Sequence, residues 1–491
     1  MRVDLNNLTS GIAKLAEARV LCVGDLMLDR FLYGSVGRIS PEGPIPIIHV
    51  DTETTMLGGA GNVVRNVVAL GAHCTFVSAI GTDSGGKRLT DLVAQLENVE
   101  AYLLRESGRP STIKTRYMAD GQQLLRADQE TDESLATATE SDIRLAALDG
   151  ISGCDAVILS DYGKGVLSDS VIKGVIKKAR DLGKPVIVDP KGKNFGRYSG
   201  SNFVTPNSAE LALASGKILN DEQSIISAVR DLLTEHDINS FLVTRSQEGM
   251  SLVDEQNVTH IPVQVQEVFD VSGAGDTVVA VFATAIAVGL DPIEAANLAN
   301  IAAGLVVGKL GTAAISVSDL HHAVLRSRLA VGNDKLVARE VAAEITKDWQ
   351  KMGQRVGFTN GCFDILHPGH LSLLHQARES CDRLVVGLNS DASVARLKGL
   401  GRPIQMVGDR AKILAALSDV DLVVVFEEDT PEVLIQNLAP DLLVKGADYN
   451  RSNVVGADFV EGRGGKVLLV DLEFGYSTSE TIAKIIGKQD G

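Results

Sequence analysis

Asp270-Val271-Ser272-Gly273-Ala274-Gly275-Asp276-Thr277, followed by an apolar run over 278–290, is the most informative stretch of this 491-residue chain. Its glycines let the backbone approach a ligand closely, and a helix that starts there points N–H groups without intrahelical partners out of its first turn. That arrangement stabilises an anionic oxygen, such as a phosphoryl group in transfer. Asp276 falls on the first helical turn, where a carboxylate can take the proton from an attacking sugar hydroxyl. The plainer reading is a glycine turn with Asp276 as a helix-start carboxylate.

Working outward, Gly58-Gly59-Ala60-Gly61-Asn62 is a second glycine loop, ending in an amide suited to a polyol. Gly24-Asp25 and Asp29 follow the first strand, where carboxylates can accept sugar hydroxyls. Taken singly, each of these reads equally well as a turn. Val20-Leu21-Cys22-Val23, Ala156-Val157-Ile158-Leu159, Val186-Ile187-Val188 and Phe241-Leu242-Val243-Thr244 have the length and continuous apolarity of buried parallel strands. Several end in Gly or Asp, which deliver polar groups to the carboxyl edge of the sheet, where open α/β folds bind ligands.

The pattern breaks after Ser316. The spacing predicts one more helix over 318–328 and a joint at Ala330-Val331-Gly332-Asn333-Asp334. A helix over 336–352 is then expected, with Leu336, Val337, Val341, Ile345, Trp349 and Met352 on one face. Strand–helix alternation restarts at Arg355-Val356-Gly357-Phe358-Thr359 and continues through Leu384-Val385-Val386-Gly387, Leu422-Val423-Val424-Val425, Leu442-Leu443-Val444 and Val467-Leu468-Leu469-Val470. The expected organisation is a first domain over 1–328, a linker and connecting helix over 329–352, and a second domain over 353–491. Two catalytic units on one chain is the simplest reading.

The length suits two large α/β domains, and 4% aromatic residues with 48 glycines favour parallel sheets over an aromatic-rich sandwich. A net charge of −16 argues against nucleic acid as a partner, because phosphate-backbone binding needs clustered Lys and Arg. Five cysteines with no Cys-x-x-Cys pair point to a reducing compartment and away from zinc. No apolar signal core follows Met1, and the longest apolar span, 277–290, falls short of the ~20 residues a membrane helix needs. A cytoplasmic protein without membrane insertion or a redox cofactor is expected.

In the second half, Thr359-Asn360-Gly361-Cys362-Phe363-Asp364-Ile365-Leu366-His367-Pro368-Gly369-His370 directly follows a predicted strand. A helix over 371–379 runs on from it, with Pro368 favouring its first turn. His367 and His370 are three apart and share a helix face, so imidazole donors and free N–H groups converge. That suits nucleotidyl transfer. A sugar-phosphate nucleophile is already an anion at neutral pH, and donors that hold the phosphates in line carry the catalysis. A metal pair or two structural histidines are the plainer alternatives, although zinc pairs on helices more often sit at i and i+4.

On these motifs, residues 1–318 resemble the ribokinase (PfkB-type) carbohydrate kinases, and residues 355–485 resemble the cytidylyltransferase-like nucleotidyltransferases. The implied fold is α/β throughout: a ribokinase-like sandwich with a β lid, then a Rossmann-like domain with a parallel sheet. By the first resemblance Asp276 is the catalytic base and Gly273, Ala274 and Gly275 line the anion hole. Asp25, Asp29, Gly59 and Asn62 fall at sugar-contact positions, and residues 38–44 fall where the family has its substrate lid. Asn207-Ser208-Ala209-Glu210 matches an Asn-x-x-Glu segment associated with Mg-ATP, with Glu210 as the residue nearest the ion. Many ribokinases carry Val-Thr-x-Gly-x-x-Gly near the nucleotide. Here it reads Val243-Thr244-Arg245-Ser246-Gln247-Glu248-Gly249, with Thr244 at a nucleotide position. The cations Arg116, Lys164, Lys191 and Lys193 can hold a substrate that already carries phosphate.

By the second resemblance His367 and His370 are catalytic, and Phe363, Asp364 and Lys398 are nucleotide contacts. Asn389-Ser390-Asp391, Asp409-Arg410 and Lys445-Gly446-Ala447-Asp448 match further family positions. Ser477 and Thr478, in Tyr476-Ser477-Thr478-Ser479, match the phosphate-touching start of a late helix. The arginine common just before that motif is absent from Leu472-Glu473-Phe474-Gly475. A kinase fused ahead of such a transferase is similar to the bacterial bifunctional enzymes of ADP-heptose synthesis. That likeness implies ATP, heptose 7-phosphate and heptose 1-phosphate as partners, Mg2+ at both sites, and a homodimer. A different sugar or alditol kinase fused to a cytidylyltransferase is the alternative.

Overall fold

Arg19–Gly24 alternates its side chains between two cores: Val20 and Cys22 enter one apolar cluster, Leu21 and Val23 the other. A strand buried on both faces in this way belongs inside a helix-covered sheet. In the computed structural model, which describes residues 5–119, 121–263, 273–308, 314–330, 335–399, 401–446 and 451–470, the chain divides into two compact units, Met1–Val324 and Leu325–Gly491.

The first unit holds a nine-stranded sheet. Its spatial order is Val258–Ile261, Met250–Asp254, Ser240–Thr244, Phe203–Val204, Val186–Asp189, Ala156–Ser160, Arg19–Gly24, His73–Gly81 and Val99–Glu106. All neighbours are parallel except the hairpin edge formed by the first three. From Arg19–Gly24 the chain steps towards one edge, and from Ala156–Ser160 it steps towards the other. The point between these two strands, where the order reverses, is where such sheets open a crevice. Helices Ala60–Ala69, Ala274–Ala287 and Pro292–Val307 cover one face, while Thr137–Gly150, Asp169–Asp181 and Glu222–Glu235 cover the other.

A second, four-stranded sheet of Pro46–Gly59, Leu26–Ile39, Thr112–Ala119 and Gln122–Gln129 forms the lid. The segment 38–44, expected to be the lid, is only the tip of its longest hairpin. Arg38 and Ile39 still belong to a strand, and the turn proper begins at Ser40.

The second unit is a six-stranded, wholly parallel sheet ordered Leu336–Val337, Leu422–Phe426, Arg383–Asn389, Val356–Gly361, Leu442–Gly446 and Lys466–Val470. Val385 and Val424 face one core cluster, Val386 and Val423 the other. Its order reverses between Val356–Gly361 and Leu442–Gly446.

The expected helix over 336–352 is corrected at its start: Leu336–Val337 is a strand paired with Val423 and Val424. Ala338 is extended (φ −67°, ψ 157°), so the helix begins only at Arg339. Two apolar residues fit either periodicity, and here the free edge of the neighbouring strand decides. The helix Arg339–Lys351 buries Ala342 and Ile345 in the core of the second unit. Among the described residues no helix is long and apolar enough to cross a membrane.

Two candidate active sites

Gly24 and Ser160 are register partners at the reversal point of the first sheet, and the loops that leave them build one wall of a cavity of about 300 Å³. Asp276 lines it, in the first turn of the helix Ala274–Ala287. Gly273 caps that helix in the left-handed region (φ 79°), a backbone that only glycine adopts without strain. Gly273 and Gly275 line the cavity, and Ala274 is the first helical residue between them. Asp270, Val271 and Ser272 lie outside the described residues.

Asn62 Nδ2 donates to Asp276 Oδ2 at 2.7 Å, and the Tyr162 hydroxyl donates to Oδ1. Burial pushes the Asp276 carboxyl up to about 6, and these two donors limit the rise by favouring the anion. Asn62, expected to touch sugar, is instead buried and bound to Asp276. Gly59 lines the cavity at a positive φ of 56°. A methyl group on the adjacent Gly58 would come within 2.1 Å of the Asp29 carboxylate, so the glycine pair makes room for that acid.

Asp29 lines the cavity and is ion-paired with Arg116 on the neighbouring lid strand. Asp25 does not line it. Its oxygens accept the backbone N–H groups of Tyr162 (2.9 Å), Lys164 (3.0 Å) and Val166 (3.0 Å), so the expected sugar contact is corrected to an anchor for the loop 161–166. Lys164 is corrected likewise: its ammonium pairs with Glu130 at 2.9 Å, away from the Asp276 cavity. Lys193 is exposed and is not part of the cavity wall.

On the other side of the cavity, Asn207 caps the helix Ser208–Ser215 in a reciprocal box with Glu210. Asn207, Glu210, Thr244 and Lys191 line the cavity, and the Lys191 ammonium lies 3.5 Å from Glu210. Ser208 and Ala209 do not line it; the Ser208 hydroxyl bonds the Thr244 carbonyl at 3.3 Å, tying the capped helix to the strand end. Asp189 shares the wall, and burial, followed by the charges of Asp276 and Glu210, holds its carboxyl well above the usual range. No group of three or more acidic, His or Cys side chains among the described residues closes around one point. Crowded carboxylates of this kind fit a cation that arrives already bound to a nucleotide. Arg245 points away from this chemistry, buried against Glu222 at 3.0 Å and the Glu248 carbonyl at 3.2 Å. A larger cavity, about 580 Å³, lies at the opposite edge of the sheet and contains none of the expected residues.

In the second unit a cavity of about 380 Å³ opens at the carboxyl ends of the strands, beside the reversal point. Asn360, Phe363, His370, Lys398, Arg402 and Lys445 line it. Pro368 is the first residue of the helix Pro368–Glu379, with His367 as its extended N-cap. The His367 and His370 rings stack 3.8 Å apart, at 21° to one another. Burial and then the neighbouring ring push His370 down to about 4, and burial lowers His367 as well. Both shifts favour the neutral imidazole. Phe363 takes a left-handed backbone (φ 43°), and its ring packs 5.1 Å from that of His370.

Asp364 also lines this cavity, and its carboxylate anchors a loop. It accepts from Arg402 Nε and from the N–H groups of Ile404 (2.8 Å) and Gln405 (3.0 Å), which together hold its carboxyl below the usual range although burial opposes them. Arg410 is fully buried and holds the carbonyls of Cys362, Asn389 and Gln405 together with the Asp391 carboxylate. Lys445 donates to the Asn360 carbonyl at 3.0 Å, and the Asn360 Oδ1 is buried without a hydrogen-bond partner among the described residues. Ser477 and Thr478, with Ala447 and Asp448, lie outside the described residues.

Sequence reasoning missed Tyr162 and Lys114 in the first site and Arg402 in the second. Tyr162 follows directly from the strand that borders the reversal point, which was the available signal.

Known proteins agree with both units. The pfkB family of carbohydrate kinases matches residues 17–319, and the cytidylyltransferase-like family matches residues 358–471. Phosphofructokinase-2 from Escherichia coli in complex with potassium superposes with a TM-score of 0.54 at 20% identity, over 63% of this chain and 99% of its own. Ribokinase of Arabidopsis thaliana, complexed with ribose and ATP, superposes with a TM-score of 0.50 at 21% identity, over 62% of this chain and 98% of its own. These two likenesses speak for the fold. The bifunctional protein HldE of Paramagnetospirillum magneticum is 50% identical over 99% of each chain. That of Rhodospirillum rubrum is 51% identical over 97% of this chain and 96% of its own. With two separate sites on one polypeptide and relatives that span nearly all of it, the chain belongs to the bifunctional HldE family, a pfkB carbohydrate kinase joined to a cytidylyltransferase-like nucleotidyltransferase.

Proposed function

We propose that the chain uses ATP to phosphorylate O1 of D-glycero-β-D-manno-heptose 7-phosphate, giving the 1,7-bisphosphate and ADP. After a separate phosphatase removes the 7-phosphate, the second unit transfers AMP from ATP to heptose 1-phosphate. The products are ADP-heptose, for lipopolysaccharide core, and pyrophosphate. The observation that carries this reading is about 50% identity to bifunctional relatives over nearly the whole chain, with a buried base in one unit and paired imidazoles in the other.

In the kinase unit (residues 1–328 in this reading), Asp276 takes the proton of the sugar O1–H. The O1–P bond forms as the bond from the γ-phosphorus to ADP breaks. The start of the helix Ala274–Ala287, with Gly273 and Gly275 on the cavity wall, supplies N–H donors for the charge that develops on the phosphoryl oxygens. Asp29 and Arg116 hold the sugar phosphate. Asn207, Glu210, Thr244 and Lys191 face the nucleotide. Mg2+ would neutralise phosphate charge, carried in on ATP with Glu210 as its nearest protein partner.

In the transferase unit (residues 353–491), joined through 329–352, the attacker is already anionic, so no base is assigned. His367, His370, Lys398 and Lys445 orient and stabilise the phosphates, and Phe363 closes the wall. The assembly is a homodimer, supported by exposed apolar side chains on the lid sheet such as Ile39, Leu124 and Leu125. The setting is the cytoplasm, supported by the cysteine usage.

A substrate panel on the whole chain tests the reading. ADP should appear with heptose 7-phosphate and ATP, and pyrophosphate with heptose 1-phosphate and ATP. Preference for CTP in the second reaction, or no ADP from phosphorylated heptose, would overturn it.

A further inference from the structure

We propose that Tyr162 is a positioning residue for the kinase base: its hydroxyl, paired with the Asn62 amide, fixes the rotation of the Asp276 carboxylate and keeps it ionised inside the cavity. The inference rests on Asp276 being the base and goes beyond it by naming what makes a buried acid usable.

The geometry is specific. One donor sits on each oxygen, Tyr162 on Oδ1 and Asn62 on Oδ2, and they come from segments 114 and 214 residues before Asp276. Each carboxylate oxygen accepts two bonds, so one lone pair on each is left for the sugar hydroxyl. Tyr162 is itself tethered: its N–H is bound by Asp25, and Gly163 turns the chain at φ 67° with its own N–H on Asp161. The buried Asp25 therefore acts on the reaction at one remove, by holding the loop that carries the tyrosine. The ammonium of Lys114, on a lid strand, lies over the Tyr162 ring at 5.9 Å from its centroid.

The charged and titratable groups around Asp276 do not replace this donor. Asp29 on the lid and Asp189 at the end of the strand Val186–Asp189 both oppose its ionisation, as does the Cys22 thiol in its ionised form. Lys114 and the Arg65 guanidinium on the helix Ala60–Ala69 favour it. Burial and the charge of Asp276 hold the Tyr162 phenol well above its ordinary range, so it stays a donor throughout and is not a second base.

The test is Tyr162→Phe in the full-length chain, with the kinase kcat measured against pH at saturating substrates. A hydrogen bond to a charged group, once lost, should move the acid limb upward by roughly one to two pH units. Activity should largely return on the alkaline plateau, and adenylyl transfer by the same molecules should be unchanged. A purely structural role would lower the rate evenly at every pH, and an acid limb at the parent position overturns the proposal. If Tyr162→Phe abolishes the kinase outright, 3-fluorotyrosine at 162, a stronger donor of nearly the same shape, decides: the limb should move down, and a limb that stays or rises overturns the proposal. Asp276→Asn separates the two layers. Kinase activity surviving in that variant would remove the base itself, whereas its loss beside an unmoved limb in Tyr162→Phe would remove only the tyrosine.

Discussion

Asp276 and His370 both sit inside protein, and burial moves each towards its neutral form, the carboxyl up to about 6 and the imidazole down to about 4. The consequences are opposite. In the proposed mechanism the kinase makes a nucleophile from a neutral hydroxyl and uses the charged form of Asp276, which the hydrogen bonds from Asn62 and Tyr162 favour against burial. The transferase receives a nucleophile that is already an anion. Neutral imidazoles that donate hydrogen bonds suffice there, and burial serves them. What the incoming substrate carries decides whether desolvation helps or hinders.

The comparison can be broken most sharply by Asp276→Asn. Loss of a general base should lower kinase turnover by about 10²–10⁴-fold while adenylyl transfer continues at the parent rate. ADP release and pyrophosphate release, followed on one preparation, would show it, and loss of both activities in a folded variant would contradict two independent sites. His370→Ala is the mirror test. Transfer should fall by about 10²–10³-fold, as for removal of an oxyanion donor, with kinase turnover unchanged.

A smaller effect sharpens the contrast without mutation. In the proposed mechanism Asp276 works ionised, so kinase activity should be present above about pH 6 and be lost as pH falls through that value. His370 works neutral and stays neutral down to about pH 4. The ratio of transfer to kinase activity should therefore rise between pH 7.5 and 5.5, and a constant ratio would refute the assigned charge states. The smallest effect separates two cations. Arg116→Ala should raise the kinase KM for the sugar phosphate about tenfold or more, whereas Lys164→Ala, whose ammonium already has Glu130, should change it less than about threefold.

The strands were legible because each buried run is continuous and several are bounded by Gly or Asp. Their order was not, since pairing between Gly24 and Ser160 leaves no local trace. Asp276, Asp29 and Gly59, singled out by their motifs, line the first cavity, and His370 lines the second. Asp25 shows where that reasoning stops. A carboxylate at a strand end reads as a ligand contact, but this one lies off the Asp276 cavity and receives N–H groups from a loop 137 or more residues away. Such backbone donors carry no residue-type signature. Arg410, matched with Asp409 to a family position, has its guanidinium taken up by three carbonyls and Asp391.

Among the described residues each unit closes its own apolar interior, with no cluster drawing residues from both. Lesions in one catalytic centre therefore leave the other half of the same molecule intact. Two full-length alleles, one carrying Asp276→Asn and the other His370→Ala, should complement one another in a single cell, so a genetic screen for loss of this locus would sort its point mutations into two groups that rescue each other.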